Sequence, residues 1–230
     1  MDIIRKPPES ETELMRRCRT LAGKSLGQVA AELNIAVPGS RARAKGWAGQ
    51  LIERYLGASA ASQPRPDFMS LGIELKTIPV NRQGKAREST FVCMAPMTAV
   101  PGLRWSDSTV RHKLNRVLWV PIEADPAIMP SNSRTGNAFL WSPSPEQARI
   151  LEQDWQELVE MLCFGEFDKV SAKHGKYLQI RPKAASSASL VRTTLADGEA
   201  GLTLPRGFYL RARFTNMLLK QYLATEDTEK

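Results

Sequence analysis

Cysteine and histidine are scarce in this chain of 230 residues. Cys18, Cys93 and Cys163 form an odd, widely spaced set, which excludes a disulfide framework and places no pair at zinc-ligand separation. Reduced, mostly buried thiols and a cytoplasmic location are the expectation. His112 and His174 are the only histidines, too few for a histidine-rich metal centre. No run of 18 or more apolar residues occurs, so no helix is expected to cross a membrane. Met1 to Ser10 carries no apolar stretch of the kind that drives secretion. Repeats and low-complexity blocks are missing too, which excludes solenoids and propellers. Acid is in deficit: 24 Asp and Glu stand against 32 Lys and Arg, a formal charge of +8.

What is present suits a folded enzyme or binding protein. Hydrophobic residues make up 42% of the chain, enough to bury a sizeable core. The basic excess is spread along its length, in Arg16-Arg17-Arg19, Arg41-Arg43-Lys45, Arg111-His112-Lys113, Lys169 to Lys176, Arg181-Lys183 and Arg206-Arg211-Arg213. Any one cluster reads as a solvated surface. Together they predict a polyanionic partner, nucleic acid first, whose counterions such groups release on binding.

Helix starts are signalled at Ser10 to Glu13 and Ser25 to Gln28, both with the capping-box spacing. Trp47, Leu51 and Tyr55 make an apolar stripe over Gly46 to Leu56, which Gly57 can end. Ile73 to Thr77 alternates like a strand, with Pro79 expected to stop it. Thr90 to Met94, Val117 to Ile122, Phe139 to Ser142, Tyr177 to Arg181 and Phe208 to Ala212 read as further strands. Ser108 to Arg116 and Phe214 to Leu223 read as helices. Ser144-Pro145-Glu146-Gln147 opens another that should run to about Phe164. The prediction is a mixed α/β fold around a central sheet, one domain with two lobes over 1–224, and a flexible tail over 225–230.

The chemistry concentrates at Asp67 and, seven residues later, Glu74-Leu75-Lys76. On a strand, Glu74 and Lys76 share a face, and Asp67 enters from the preceding turn. Two carboxylates and water suit Mg²⁺, a hard octahedral cation, which can activate water and stabilise charge on a phosphate. Lys76 would orient or deprotonate that water, or stabilise the transition state. The plain alternative is the wet face of a strand. Glu53, off the Trp47-Leu51-Tyr55 stripe, could supply a third carboxylate or could face solvent.

The runs from Lys45 to Val80, Glu88 to Pro96, Val110 to Glu123, Tyr177 to Ala185 and Thr203 to Leu210 together resemble the MutH family of mismatch-repair endonucleases, co-linearly from about Ser10 to Leu223. The family is related in turn to GATC-cutting restriction enzymes. The resemblance implies a restriction-endonuclease-like fold of the PD-(D/E)xK type, with two arms around a cleft for double-stranded DNA. It implies Mg²⁺-dependent nicking of the unmethylated strand at hemimethylated GATC sites, by a monomer stimulated by MutL after MutS finds a mismatch.

Position by position, Asp67, Glu74 and Lys76 take the catalytic motif, Glu53 the accessory acid, and Lys113 a lysine that joins the site on DNA. Arg181 and Lys183 match DNA-recognition positions, and Tyr209 the residue proposed to sense the adenine methyl group. Lys45, Glu88 and Phe91 match positions linked to DNA contact or conformational coupling. The chain departs from the family pattern at Ala44, where an acid precedes the Lys45-Gly46-Trp47 run. Two alternatives stand beside the nickase: a free-standing GATC-specific restriction enzyme, and a non-catalytic DNA-binding module.

Overall fold

Short local signals set the helix ends. The computed structural model describes residues 5–40, 46–59, 65–98, 100–166, 169, 174–183, 189–194 and 198–228. In α1 (Glu11–Leu21) the Ser10 hydroxyl accepts from the Glu13 amide, but the Glu13 carboxylate reaches one residue further back, to the Glu9 amide at 2.9 Å. In α2 (Leu26–Glu32) and α5 (Pro145–Cys163) the capping box closes both ways, through Ser25 with Gln28 and Ser144 with Gln147. Between these lie α3 (Trp47–Leu56) and α4 (Thr109–Leu114), and α6 (Ala212–Thr228) is longer than the Phe214–Leu223 expected.

The strands are β1 (Glu74–Val80), β2 (Thr90–Met94), β3 (Val117–Glu123), β4 (Phe139–Trp141), β5 (Leu178–Pro182), β6 (Val191–Thr194), β7 (Ala200–Thr203) and β8 (Arg206–Leu210). They divide among three small sheets, ordered β1-β3-β4, β2-β8-β5 and β6-β7, where a single central sheet was expected. The mixed α/β character holds: β1 and β3 run parallel, and β4 closes antiparallel on β3. No helix among the described residues is long and apolar enough to cross a membrane. Cys18 and Cys93 are buried and Cys163 is exposed, all three as free thiols. Burial pushes the Cys18 thiol up to about 12, so it is a small core hydrophobe.

The chain falls into two units. The first comprises Met1–Glu88, Asn115–Ser142 and Asn216–Lys230; the second comprises Ser89–Leu114 and Pro143–Thr215. In the first, one face of the β1-β3-β4 sheet, through Leu75, Leu118 and Val120, joins the core built by Leu14, Leu26, Val29, Leu51 and Ile52 of α1, α2 and α3. The opposite face carries Glu74, Lys76, Trp119 and Phe139, with Tyr222 of α6 stacked on Phe139 at 4.4 Å.

Pro79 does not stop β1, which continues to Val80. β1 is the edge of its sheet, and the Pro79 carbonyl points outward to accept from the Arg87 amide at 3.0 Å. The amide hydrogen that proline lacks would have pointed the same way, so no ladder bond is lost. At the end of α3, Gly57 adopts φ 88°, and a Cβ there would collide with the Lys6 carbonyl oxygen. The Arg17 guanidinium fills the remaining space, donating to Lys6 and Leu56 carbonyls at 2.7 Å each. Only glycine fits this crossing, and two residues later the Ser59 amide bonds the Asp67 carbonyl.

Candidate active site and nucleic-acid face

In the first unit, the turn from Phe68 to Ile73 builds the acidic pair. The Phe68 amide donates to the Ile73 carbonyl at 2.9 Å and the Ile73 amide returns a bond at 3.3 Å, an antiparallel bridge around a turn that Gly72 completes at φ 65°. Asp67 immediately precedes that bridge and Glu74 immediately follows it, one at each end of the turn. Asp67 also accepts from the Leu75 amide through Oδ2 at 2.8 Å. Both acids are buried, Asp67 at 7% and Glu74 at 1% exposure.

Lys76, one pleat along β1, brings its Nζ to 2.6 Å from Glu74 Oε1. In the parallel register it is the cross-strand neighbour of Trp119. Two carboxylates held away from water beside β1 are hard oxygen donors of the kind a small divalent cation takes. The donor set therefore fits Mg²⁺, which takes one or two protein carboxylates and keeps several waters.

Glu53 is half-buried on the last turns of α3, and its carbonyl accepts from the Gly57 and Ala58 amides. Among the described residues no group of three or more His, Cys, Asp or Glu side chains gathers as a metal cluster. Lys113 is half-buried on α4, in the second unit. Lys45 lies outside the described residues, and Glu88 is exposed at the end of its segment.

In the second unit, four of the predicted DNA residues share one sheet face. Along β8, Gly207 and Tyr209 point one way while Phe208 and Leu210 are buried on the other. On β5 that outer face receives Gln179 and Arg181, and the buried face takes Leu178 and Ile180. On β2 the register shifts between Phe91 and Cys93, a bulge that absorbs Val92. Phe91 and Met94 therefore both reach the outer face, which simple alternation would forbid.

Phe91 packs edge-on against Tyr209 at 5.3 Å, and the Arg181 guanidinium lies 5.7 Å from the Tyr209 ring. Arg181 also donates to the Ser89 hydroxyl at 2.7 Å. The Lys183 ammonium sits 2.8 Å from the centre of the Phe91 ring. Gly207 makes room for this, because a Cβ there would come within 2.7 Å of the Phe91 ring. The face thus offers two cations over two aromatic rings, suited to phosphate and to base edges in a groove.

Asp154 holds the start of β5, a role that no sequence motif marks. Buried on α5, it accepts from the backbone amides of Lys176 (2.7 Å), Tyr177 (2.5 Å) and Leu178 (2.8 Å). Glu157 takes the Gly175 amide and faces the His174 ring. From the other side, Arg211 donates to the His174 carbonyl and Arg213 to those of Lys176 and Gly175. Burial, with the Arg213 charge beside it, lowers the Arg211 guanidinium from its ordinary value. The available signal was an acid on the buried stripe Ile150, Leu151, Asp154, Trp155, Leu158, where only a partnered carboxylate is tolerable.

The family profile described as DNA mismatch repair enzyme MutH matches residues 56–154, a span that includes Asp67, Glu74, Lys76 and Lys113. Over 215 residues, 94% of this chain and 96% of the relative, the chain is 52% identical to a DNA mismatch repair protein MutH of Shewanella amazonensis. Over the same shares it is 50% identical to the proteins of that description from Shewanella sp. strain W3-18-1 and Shewanella putrefaciens.

Proposed function

The chain belongs to the MutH family and is a DNA mismatch repair endonuclease; on that premise we propose that it nicks the unmethylated strand of double-stranded DNA at hemimethylated GATC sites, in a Mg²⁺-dependent hydrolysis. The observation that supports the chemistry is that buried Asp67 bonds the Leu75 amide at 2.8 Å, between Glu74 and Lys76, while Lys76 lies 2.6 Å from Glu74. Asp67 and Glu74 would hold Mg²⁺. The chemistry such an ion supplies is neutralisation of charge at the scissile phosphate and a more acidic water.

Lys76 does the rest of the local work. Its ammonium, held by Glu74 at 2.6 Å, orients the attacking water or stabilises the added negative charge of the pentavalent transition state. Glu53 and Lys113 act as accessory groups, the lysine once DNA is bound. The restriction-endonuclease-like arrangement of the family fits the mixed sheet that presents the motif.

On the second unit, Arg181 and Lys183 meet the DNA with Phe91, while Glu88 and Lys45 act at its margins. Tyr209 senses the adenine methyl group, its ring being flat, half-buried and held by Phe91 and Arg181. MutL, acting after MutS, stimulates the reaction.

The test is a plasmid-nicking assay with Mg²⁺ at low salt, on unmethylated, hemimethylated and fully methylated GATC substrates. Nicks confined to the unmethylated strand are expected, with none on fully methylated DNA. Rapid double-strand breaks without a partner would identify a restriction enzyme instead, and silence even with MutL and ATP would leave a binding module. Tyr209→Ala is expected to narrow the rate gap between unmethylated and methylated strands, measured on the same substrates; an unchanged gap removes Tyr209 from that role.

A further inference from the structure

The cross-strand row that holds Tyr209 has a third member. Phe91 on β2 and Gln179 on β5 are the partners of Tyr209 on either side, so all three project from the same face. Phe91 and Tyr209 are engaged with each other, and the two cations of the face are seated over their rings. Gln179 is half-buried, and no hydrogen bond within the described residues occupies its amide. It is the uncharged group of the row that offers a donor and an acceptor side by side.

We propose that Gln179 reads the adenine of the strand to be cut, its amide NH₂ donating to N7 and its Oε1 accepting from the exocyclic N6 amino group in the major groove. The inference rests on the proposed GATC specificity and deepens it. A primary amide is the side-chain group that matches this edge of adenine with two bonds. Methylation enters directly. The amino group has two hydrogens, and pairing with thymine uses one. An N6-methyl group in a paired base therefore replaces the other, which is the hydrogen Oε1 accepts. Methylation at that adenine removes one bond and leaves a buried acceptor facing a methyl group, while Tyr209 supplies the neighbouring wall. Discrimination is thereby shared between two side chains, since Gln179 loses a bond and Tyr209 meets a clash.

Positional accuracy comes from behind the sheet. Asp154 and Glu157 take the amides of Gly175 to Leu178, and Arg211 and Arg213 donate to the carbonyls of His174, Gly175 and Lys176. That fixes the backbone at the residue just before Gln179, so its amide projects from a rigid base.

The experiment is a chemical cycle. Single-turnover nicking is measured on a GATC duplex and on the same duplex with 7-deaza-adenine, which lacks N7, in the cut strand, for the natural protein and for Gln179→Leu. The natural protein is expected to lose about 5- to 150-fold on 7-deaza-adenine, the range of one base-specific pairing. Gln179→Leu is expected to be slower on the natural duplex and indifferent to the replacement, with unchanged melting and unchanged affinity for non-specific DNA. An equal 7-deaza loss in both proteins overturns the proposal. Gln179→Glu keeps the acceptor and loses the donor. It is expected to be indifferent to 7-deaza-adenine while still slowed by N6-methyladenine, and a full 7-deaza loss in this variant overturns the proposal even if the leucine variant does not fold. Failure of the natural protein to nick the unmodified GATC duplex, with MutL and ATP present, sinks the functional reading and this inference with it.

Discussion

Glu74→Ala should abolish Mg²⁺-dependent nicking and leave DNA binding close to that of the natural protein. Glu74 follows the Phe68–Ile73 bridge that Asp67 precedes and holds the Lys76 ammonium at 2.6 Å, so its removal takes away half of the proposed carboxylate pair and the anchor of the lysine together. Losing one preorganised group at developing charge costs about 10²- to 10³-fold, and here two functions fall with one side chain. Binding should survive because the proposed DNA-contacting groups lie on a different sheet. Stability should change little, because the loss of the ion pair with Lys76 is set against the removal of one of two buried carboxylates. Plasmid nicking read beside a gel-shift titration and a thermal melt checks all three statements. Turnover within tenfold of the natural protein would remove Glu74 from the catalytic machinery.

Asp154→Ala is expected to be strongly destabilising, more so than any other substitution proposed above. The carboxylate satisfies three successive backbone amides, Lys176, Tyr177 and Leu178. Alanine leaves them without an acceptor next to a buried cavity, at about 1–3 kcal/mol for each amide that water does not reach. A total of about 3–5 kcal/mol corresponds to a melting point lower by on the order of 10 °C for a chain of this size. Asp154→Asn keeps the shape and one acceptor oxygen, so its loss should be smaller. Differential scanning calorimetry decides the matter. A melting point within about 2 °C of the natural protein would mean that the loop from His174 to Leu178 is held by Arg211, Arg213 and Glu157 alone.

The two parts of the molecule were unequally legible in the sequence, for a physical reason. Ser25 with Gln28 and Ser144 with Gln147 are local interactions within four residues, so spacing alone predicts them. The side-by-side placement of Glu74 and Lys76 follows from the period of a strand, and the turn between Phe68 and Ile73 brings Asp67 to the Leu75 amide.

The recognition face depends on longer-range facts. The bulge at Val92 changes which side chains of β2 look outward, and nothing in Thr90 to Met94 announces it. Pro79 reads as a stop until β1 is known to be an edge. β6 and β7 escape a reading by pattern because their strands are short and polar, although Asp197-Gly198 in the sequence between them is a hairpin signal. Gln179 escapes it too, because an amide on a strand has no motif. Its meaning comes from its cross-strand neighbour.

The edge position of β1 has a further consequence, for self-association. An open strand edge is a template on which a second chain can build, and β1 is both an edge and apolar in half of its residues. Its outer side is not left open along its length. The segment from Asn81 to Arg87 doubles back so that Ala86 bridges Val80 and the Arg87 amide occupies the Pro79 carbonyl. The Asn81 side chain locks that reversal by accepting from the Gln83 and Lys85 amides at 3.0 Å, and Asn216 takes the Ala86 amide at 2.7 Å. Proline removes one donor from the edge, and the returning loop covers neighbouring acceptors with a basic stretch whose like charges repel a second copy. The strand that carries Glu74 is thereby guarded at its far end against polymerisation.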